Sequence, residues 1–345
     1  MKLCIIGAGA SGILLLLLLH QANINMKDIV IVDPHFDGGA LQRSWATVIS
    51  NTPWIATIEA IQTYLPSYTI PKWALEIPSD KPTPLAKIAQ LLRDLSAPLM
   101  SSCKKVKGTV KELHCDSEWS NWKIIVQSAE NTIHLQSDRI ILAQGAVPKY
   151  FDYSVPAIPL EIALDPRRLQ SYIQPNDTVL VFGTSHSGIL VMKNLVDCSA
   201  SSVIGIYRGP KPFLWARDGD YTGVKLEAAT IADDIVDNKY PSIQLIPFEN
   251  IYTMIQETRK ATWAVFSMGF TLDTQLKIFV DSTEFSTKNY DPHSGKISSV
   301  PNAWGFGIAY PSRAPDGVNY DVGISSFLEY FSKQIPSIIC NLNNT

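Results

Sequence analysis

The chain opens Leu3-Cys4-Ile5-Ile6-Gly7-Ala8-Gly9-Ala10-Ser11-Gly12, runs through the apolar stretch Ile13–Leu19, and returns as Ile29-Val30-Ile31-Val32-Asp33. An apolar run broken by glycines, then one of helical length, then a β-branched run, predicts strand, turn, helix and strand. With an acid at the tip of the second strand, the pattern is a dinucleotide-binding fingerprint. Gly7 supplies the tight turn, Gly9 leaves the main chain open to a diphosphate, and Gly12 lets the helix lie close on the strand. Ser11 falls in the first helical turn, where free N–H groups and the helix dipole favour phosphate. Asp33, about twenty residues beyond Gly12, is placed to accept hydrogen bonds from ribose hydroxyls.

A signal peptide is the rival reading of this stretch. It is disfavoured because its charged end is the single Lys2 and the glycine loop interrupts the apolar run. Ile13–Leu19 is also far short of the roughly twenty residues that span a bilayer, so a helix buried in a domain explains it better.

The pattern recurs. Thr178-Val179-Leu180-Val181-Phe182 enters Gly183-Thr184-Ser185-His186-Ser187-Gly188, Ile189–Val196 reads as a helix, and Val203–Tyr207 as the next strand. Here the residue after the second strand is Arg208, with Lys211 close by. An arginine in this place can pair bidentately with a 2′-phosphate that a carboxylate would repel, so the second loop leans toward NADP(H), with NAD(H), or an Arg merely solvated at a strand end, as the alternatives. Gly183, Ser185, Ser187 and Gly188 are its expected contacts, Ser185 taking the middle glycine position at little cost in room. His186 is read as solvated, with a phosphate or nicotinamide contact as the alternative.

Between the loops, Gly38-Gly39 suits close backbone approach to a flat or phosphorylated group, or an ordinary turn followed by a strand through Val48–Trp54. Residues 55–103 alternate helical and proline-rich pieces, with a helix over Leu85–Arg93. Residues 104–136 read as a β-meander of Val110–His114, Trp122–Val126 and Thr132–Leu135. Two further strands, Arg139–Ala143 and Ala261–Phe266, end on glycine, as Ala143-Gln144-Gly145 and Ser267-Met268-Gly269. Trp215, Arg217, Asp218, Asp220 and Tyr221 suggest a lid or substrate loop. Near the end, Gly305-Phe306-Gly307 looks like a close-approach strand returning to the first domain, before a helix over Val322–Phe331.

Composition narrows the classes. The 345 residues hold chain enough for one large or two medium domains, and 46% hydrophobic with 18% charged residues fits a globular core. A net charge of −3 gives no general attraction to nucleic acid or anionic membrane. The five cysteines are scattered, with no CxxC, so neither a redox disulfide nor a zinc knuckle is indicated, and a cytoplasmic setting is expected.

Taken together, GAGASG with Asp33, the LAQG strand end, GTSHSG with Arg208 and the SMGF strand end resemble the two-dinucleotide-binding flavoprotein superfamily over nearly the whole chain. The resemblance implies an α/β fold of two Rossmann-like domains and a β-meander. An FAD domain (1–165 plus 275–345) carries an inserted NAD(P) domain (170–272). The chain looks most like the flavin-containing monooxygenase branch, through GxSxSG in the second loop and Gly38-Gly39 followed by Ser50-Asn51-Thr52. Carried over, Asn51 is the catalytic polar group beside the isoalloxazine. Gly39, Trp45, Ala143, Gln144, Gly145 and Gly307 contact the cofactor, and Val110 meets the adenine through its backbone. Such an enzyme takes hydride from NAD(P)H, traps O₂ as a C4a-hydroperoxyflavin and oxygenates a small molecule. Its substrate pocket is expected from residues 55–100, 210–240 and 285–315.

Two departures keep other readings open. The branch's hydroxylation signature is replaced by Val155–Glu161, and Ile308 stands where many members have a ribityl-binding Asp. A flavin reductase or dehydrogenase without oxygen transfer, and a non-catalytic flavin-binding regulator, are the alternatives.

Overall fold

The computed structural model describes residues 1–116, 121–213, 226–273, 275–314 and 320–340. Its first part runs β1 (Leu3–Ile6), α1 (Ala10–Gln21), β2 (Ile29–Asp33), α2 (Trp54–Tyr64), α3 (Leu85–Ser102), β3 (Lys104–Lys107), β4 (Thr109–Asp116), β5 (Asn121–Gln127), β6 (Thr132–Ser137) and β7 (Ile140–Leu142). β8 (Val147–Pro148) leads out to β9 (Thr178–Phe182), α4 (His186–Asp197), β10 (Ser202–Tyr207), α5 (Leu226–Val236), β11 (Ile243–Pro247), α6 (Ile251–Thr258) and β12 (Trp263–Phe266). The chain comes back through β13 (Phe270–Thr271), β14 (Lys277–Val280), β15 (Thr283–Phe285), β16 (Ala303–Gly305) and α7 (Ile324–Ile339).

The first sheet is parallel in the order β16-β7-β1-β2-β3, and all its strands but the edge strand β3 are buried on both faces. Alternation along the strands separates the faces. Leu3, Ile5, Ile29, Ile31 and Ile141 meet the helices, whereas Cys4, Ile6, Val30, Val32, Ile140 and Leu142 meet the meander. Helix α1 shows no polar stripe because none is needed. It packs on α3 and α7 as well as the sheet, and no residue from Ile13 to Leu19 is more than 4% exposed.

A second parallel sheet runs β11-β10-β9-β12. One face is covered by α4, α5 and the segment Ile158–Ile173. Its other face is thinner, closed by Tyr153, Val155 and Met254 over Leu180, Phe182, Ile204 and Phe266. The two crossings between the sheets are tied together, since β8 pairs antiparallel with β13.

Four details differ from the sequence reading. Lys104–Lys107 is an edge strand of the first sheet, paired in parallel with β2, so the meander begins at Thr109. The meander is also extended by β14, which pairs in parallel with β4, and by the β14–β15 hairpin. Val48–Pro53 is not a sheet strand. It lies extended against residues 79–86, and Pro53 then starts α2. Finally, α3 continues past Arg93 through Pro98 to Ser102, and α7 begins after Gly323 and runs to Ile339.

Candidate functional site

The two glycine loops are built alike. Gly7 and Gly183 both have positive φ, 106° and 95°. A Cβ on Gly7 would overlap the carbonyl oxygen of Ala143, and one on Gly183 would lie 2.6 Å from that of Ser267. Gly12 and Gly188 each face the carbonyl of the first glycine of their own loop, so closely that any side chain would overlap it. These contacts draw each helix onto its strand. The N–H groups of Gly7 and Gly183 then bond the carbonyls of Val32 and Ile206 on the adjoining strand.

Gly9 differs in kind from Gly7 and Gly12. An added Cβ there would touch only the Gly39 Cα, at an ordinary 3.8 Å. Packing within the protein does not demand a glycine at 9, and the open side is where a diphosphate has room. Helix α1 starts at this point with no side-chain cap and no acid in its first turn. Its orphan N–H groups and dipole therefore suit an anion.

The rest of the first loop's surroundings comes from four segments. Gly38 bridges to Gly9, and a Cβ on Gly39 would lie 2.6 Å from the Gly9 Cα. Gly307, at φ 92°, is pressed against the Ser11 hydroxyl. Asp33 is 5% exposed: one carboxylate oxygen accepts from Ala8 N–H and the other from His35 and Phe36 N–H, all at 2.8 Å. It thereby ties the glycine loop to the turn after β2, a role the sequence reading did not assign it. Beyond β7, Gly145 has φ 79° with no atom within 4 Å of its Cβ position. The Gln144 Oε1 beside it is buried with no hydrogen-bond partner. An uncapped helix start, glycines that hold the loop open and an orphaned amide oxygen fit the phosphate and sugar of a dinucleotide.

Asn51 sits half-buried between two pinned neighbours. The Ser50 N–H bonds the Thr83 carbonyl at 2.8 Å, the Ser50 hydroxyl donates to Thr52 O, and Thr83 N–H donates to the Ser50 hydroxyl at 3.1 Å. The Thr83 partnership carries no sequence signal. The Trp45 ring meets Phe270 edge-on at 5.7 Å and packs against the core of the second sheet. Val110 lies in β4 opposite Val126, and the bulge before Glu112 leaves Lys111 outside the ladder.

In the second loop, Ser267 is 2% exposed and its hydroxyl donates to the carbonyls of Gly183 and Phe182, at 2.7 and 3.0 Å. Helix α4 begins at Ser185 with no side-chain cap and no acid in its first turn. Ser187 and His186 are half-buried in that turn. Arg208 is exposed after β10, with its guanidinium carbon 5.7 Å from the Phe248 ring centre. Trp215, Arg217, Asp218, Asp220 and Tyr221 lie outside the described residues. An open pocket of about 640 Å³ lies along residues 147–161 and Phe266, a segment not expected to line one. No group of metal-ligating side chains occurs among the described residues, and no described helix is long and apolar enough to cross a membrane.

No family model matches the chain. A curated protein named Monooxygenase AgnR1, from Paecilomyces divaricatus, is 26% identical, with 96% of each chain covered. Among solved structures, the bacillithiol disulfide reductase Bdr of Bacillus cereus superposes with a TM-score of 0.63 at 12% identity, covering 98% of both chains. The polycyclic ketone monooxygenase of Thermothelomyces thermophila gives 0.59 at 11% identity, covering 98% of this chain and 75% of its own. Thioredoxin reductase of Lactococcus lactis gives 0.51 at 12%, covering 98% and 97%. Paired parallel sheets, twin glycine loops and these superpositions make the fold that of the two-domain FAD/NAD(P)-binding flavoprotein oxidoreductases.

Proposed function

We propose that the protein is an FAD-dependent, NAD(P)H-using oxidoreductase that acts as a monooxygenase on a small molecule. The observation that carries this reading is the pair of matching glycine loops with opposite charges at their tips, Asp33 after β2 and Arg208 after β10. An acid at the first tip suits ribose hydroxyls, and an arginine at the second suits a 2′-phosphate. FAD is accordingly assigned to the first loop and NADPH to the second, with domains of 1–165 plus 275–345 and 170–272.

When bound, FAD supplies acceptance of hydride from the nicotinamide and reaction of its reduced form with O₂. The chain's own part is positioning. The start of α1 and the Gly9 main chain hold the diphosphate, Gly307 and Ser11 close one side, and Gln144 offers its orphaned amide oxygen to a donor. Ser50 and Thr83 fix the backbone of Asn51, whose side-chain amide would then be the polar group that orients the flavin when it is bound. The full-length relative named a monooxygenase supports oxygen transfer. A reductase without oxygen transfer is the second reading, supported by Ile308, 37% exposed where an acid would serve the ribityl chain. The five free cysteines suit a reducing compartment such as the cytoplasm.

The test begins with the purified protein. Its flavin is released by heat and identified by chromatography. Anaerobic bleaching by NADPH and by NADH is then compared, and ¹⁸O₂ is supplied with panels of cyclic ketones and thioethers. Bound FAD, faster bleaching by NADPH and label in a product are the expected results. Bleaching with no label across both panels favours the reductase, and a protein that neither holds nor takes up FAD ends the proposal.

A further inference from the structure

The sheet order β11-β10-β9-β12 places three strand ends side by side. The Gly183 loop follows β9, Arg208 follows β10, and Phe248 follows β11. Neighbouring strands lie about 4.8 Å apart, so these ends span about 10 Å from the diphosphate side toward the adenosine side of a bound dinucleotide. Phe248 is fixed in this row by its N–H, which bonds the Tyr207 carbonyl at 2.7 Å. The residue is 39% exposed, and Arg208 stands over its ring at 5.7 Å.

A long exposed arginine explores many rotamers, and each must be given up when it grips a phosphate. A ring beneath the guanidinium narrows that choice in advance. The contact uses the π face and none of the five N–H donors, so all of them stay available to a phosphate. Lys211, also exposed, adds a second cation three residues on. We infer that Phe248 is a positioning residue that selects a 2′-phosphorylated dinucleotide by holding Arg208 ready for the phosphate. The inference rests on the assignment of NADP(H) to the second loop.

Calorimetric titration of the flavin-loaded protein tests it without turnover, using NADP⁺, NAD⁺ and adenosine 2′,5′-bisphosphate as probes. Phe248→Ala is expected to weaken NADP⁺ and the bisphosphate about fivefold, the change that about 1 kcal/mol from an exposed cation–π contact produces. NAD⁺ is expected to change less than twofold. Phe248→Tyr restores the NADP⁺ affinity, and adding Phe248→Ala to Arg208→Ala weakens NADP⁺ no further. Tyr252→Ala, removing the side chain of a residue 75% exposed on α6, serves as the control and leaves all three affinities within twofold.

An NADP⁺ affinity that moves less than twofold in Phe248→Ala overturns the inference. Equal losses for NAD⁺ and NADP⁺ also overturn it, because they mean only a wall for adenine or a damaged fold. In both cases a wild type that prefers NADP⁺ leaves the nucleotide assignment standing. A wild type that binds NAD⁺ as tightly as NADP⁺, or binds neither, sinks the assignment and the inference together.

Discussion

Gly9 and Ser185 hold the same backbone conformation in the two loops, φ −76° and ψ −170° against φ −77° and ψ −172°. A serine is thus comfortable in this geometry, and the Cβ position at Gly9 is free of protein atoms closer than 3.8 Å. The first loop keeps a glycine where its own packing does not ask for one. Gly9→Ser is therefore expected to leave the melting temperature within about 2 °C of wild type while weakening FAD about tenfold, roughly the loss of one good hydrogen bond to a charged group. Flavin retention on gel filtration and a fluorescence titration of the apoprotein check it. Wild-type FAD affinity in a folded Gly9→Ser protein would place the diphosphate elsewhere.

Gly12→Ala and Gly188→Ala are expected to behave in the opposite way. Each new methyl would overlap the carbonyl oxygen of Gly7 or Gly183, and those carbonyls sit in turns pinned by Val32 and Ile206. The backbone must move, at a cost of about 3 kcal/mol, the upper range for overpacking. Urea unfolding followed by tryptophan fluorescence measures it. A midpoint unchanged in either variant would mean that the helix can slide off its strand freely.

Much of this was legible in the chain, and the limit is physical. The turn at Gly7 and the approach at Gly12 are local, fixed by residues five apart, so the spacing shows them. The same holds for the second loop. Relations between segments far apart in sequence leave no such trace. Nothing in Phe248 or Phe270 announces that they meet Arg208 and Trp45. The β14 strand shows the same limit: Lys277–Val280 is a short apolar run whose parallel partner, β4, lies well over a hundred residues earlier. Asp33 was legible as the acid at the strand tip, but its three loop donors were not, since they depend on how the following turn folds back.

Those donors give Asp33 a structural role that its substitution exposes. Ala8, His35 and Phe36 N–H all rely on its two oxygens, and the group is 5% exposed. Asn has one acceptor oxygen and presents an NH₂ to the remaining donors, which leaves without a partner either the buried Ala8 N–H or the part-buried His35 and Phe36 N–H groups. Asp33→Asn is expected to lose about 3 kcal/mol of stability even with no nucleotide present. Equal unfolding midpoints for the two apoproteins would confine Asp33 to ligand binding.

Alkaline pH provides a separate probe of the core between the first sheet and the meander. Burial pushes the Cys4 thiol from 9.0 up to about 12, outweighing the lowering effect of the positive chain terminus. Above pH 9 the unfolded chain therefore releases this proton while the folded chain keeps it, so stability falls as pH rises from 9 toward 12. Cys4→Ala removes that one proton from the balance. The buried Cys103 and Cys115 thiols and the tyrosines contribute equally in both proteins. Between pH 9 and pH 10.5, wild type is expected to lose about 1.6 kcal/mol more than Cys4→Ala, the slope growing toward about 1.4 kcal/mol per pH unit as the unfolded thiol, half ionised at pH 9, gives up its proton. Urea midpoints at the two pH values give the comparison, whatever the cavity left by the substitution costs at pH 9. Parallel losses in the two proteins would mean that the Cys4 thiol ionises within the folded core as readily as in the open chain.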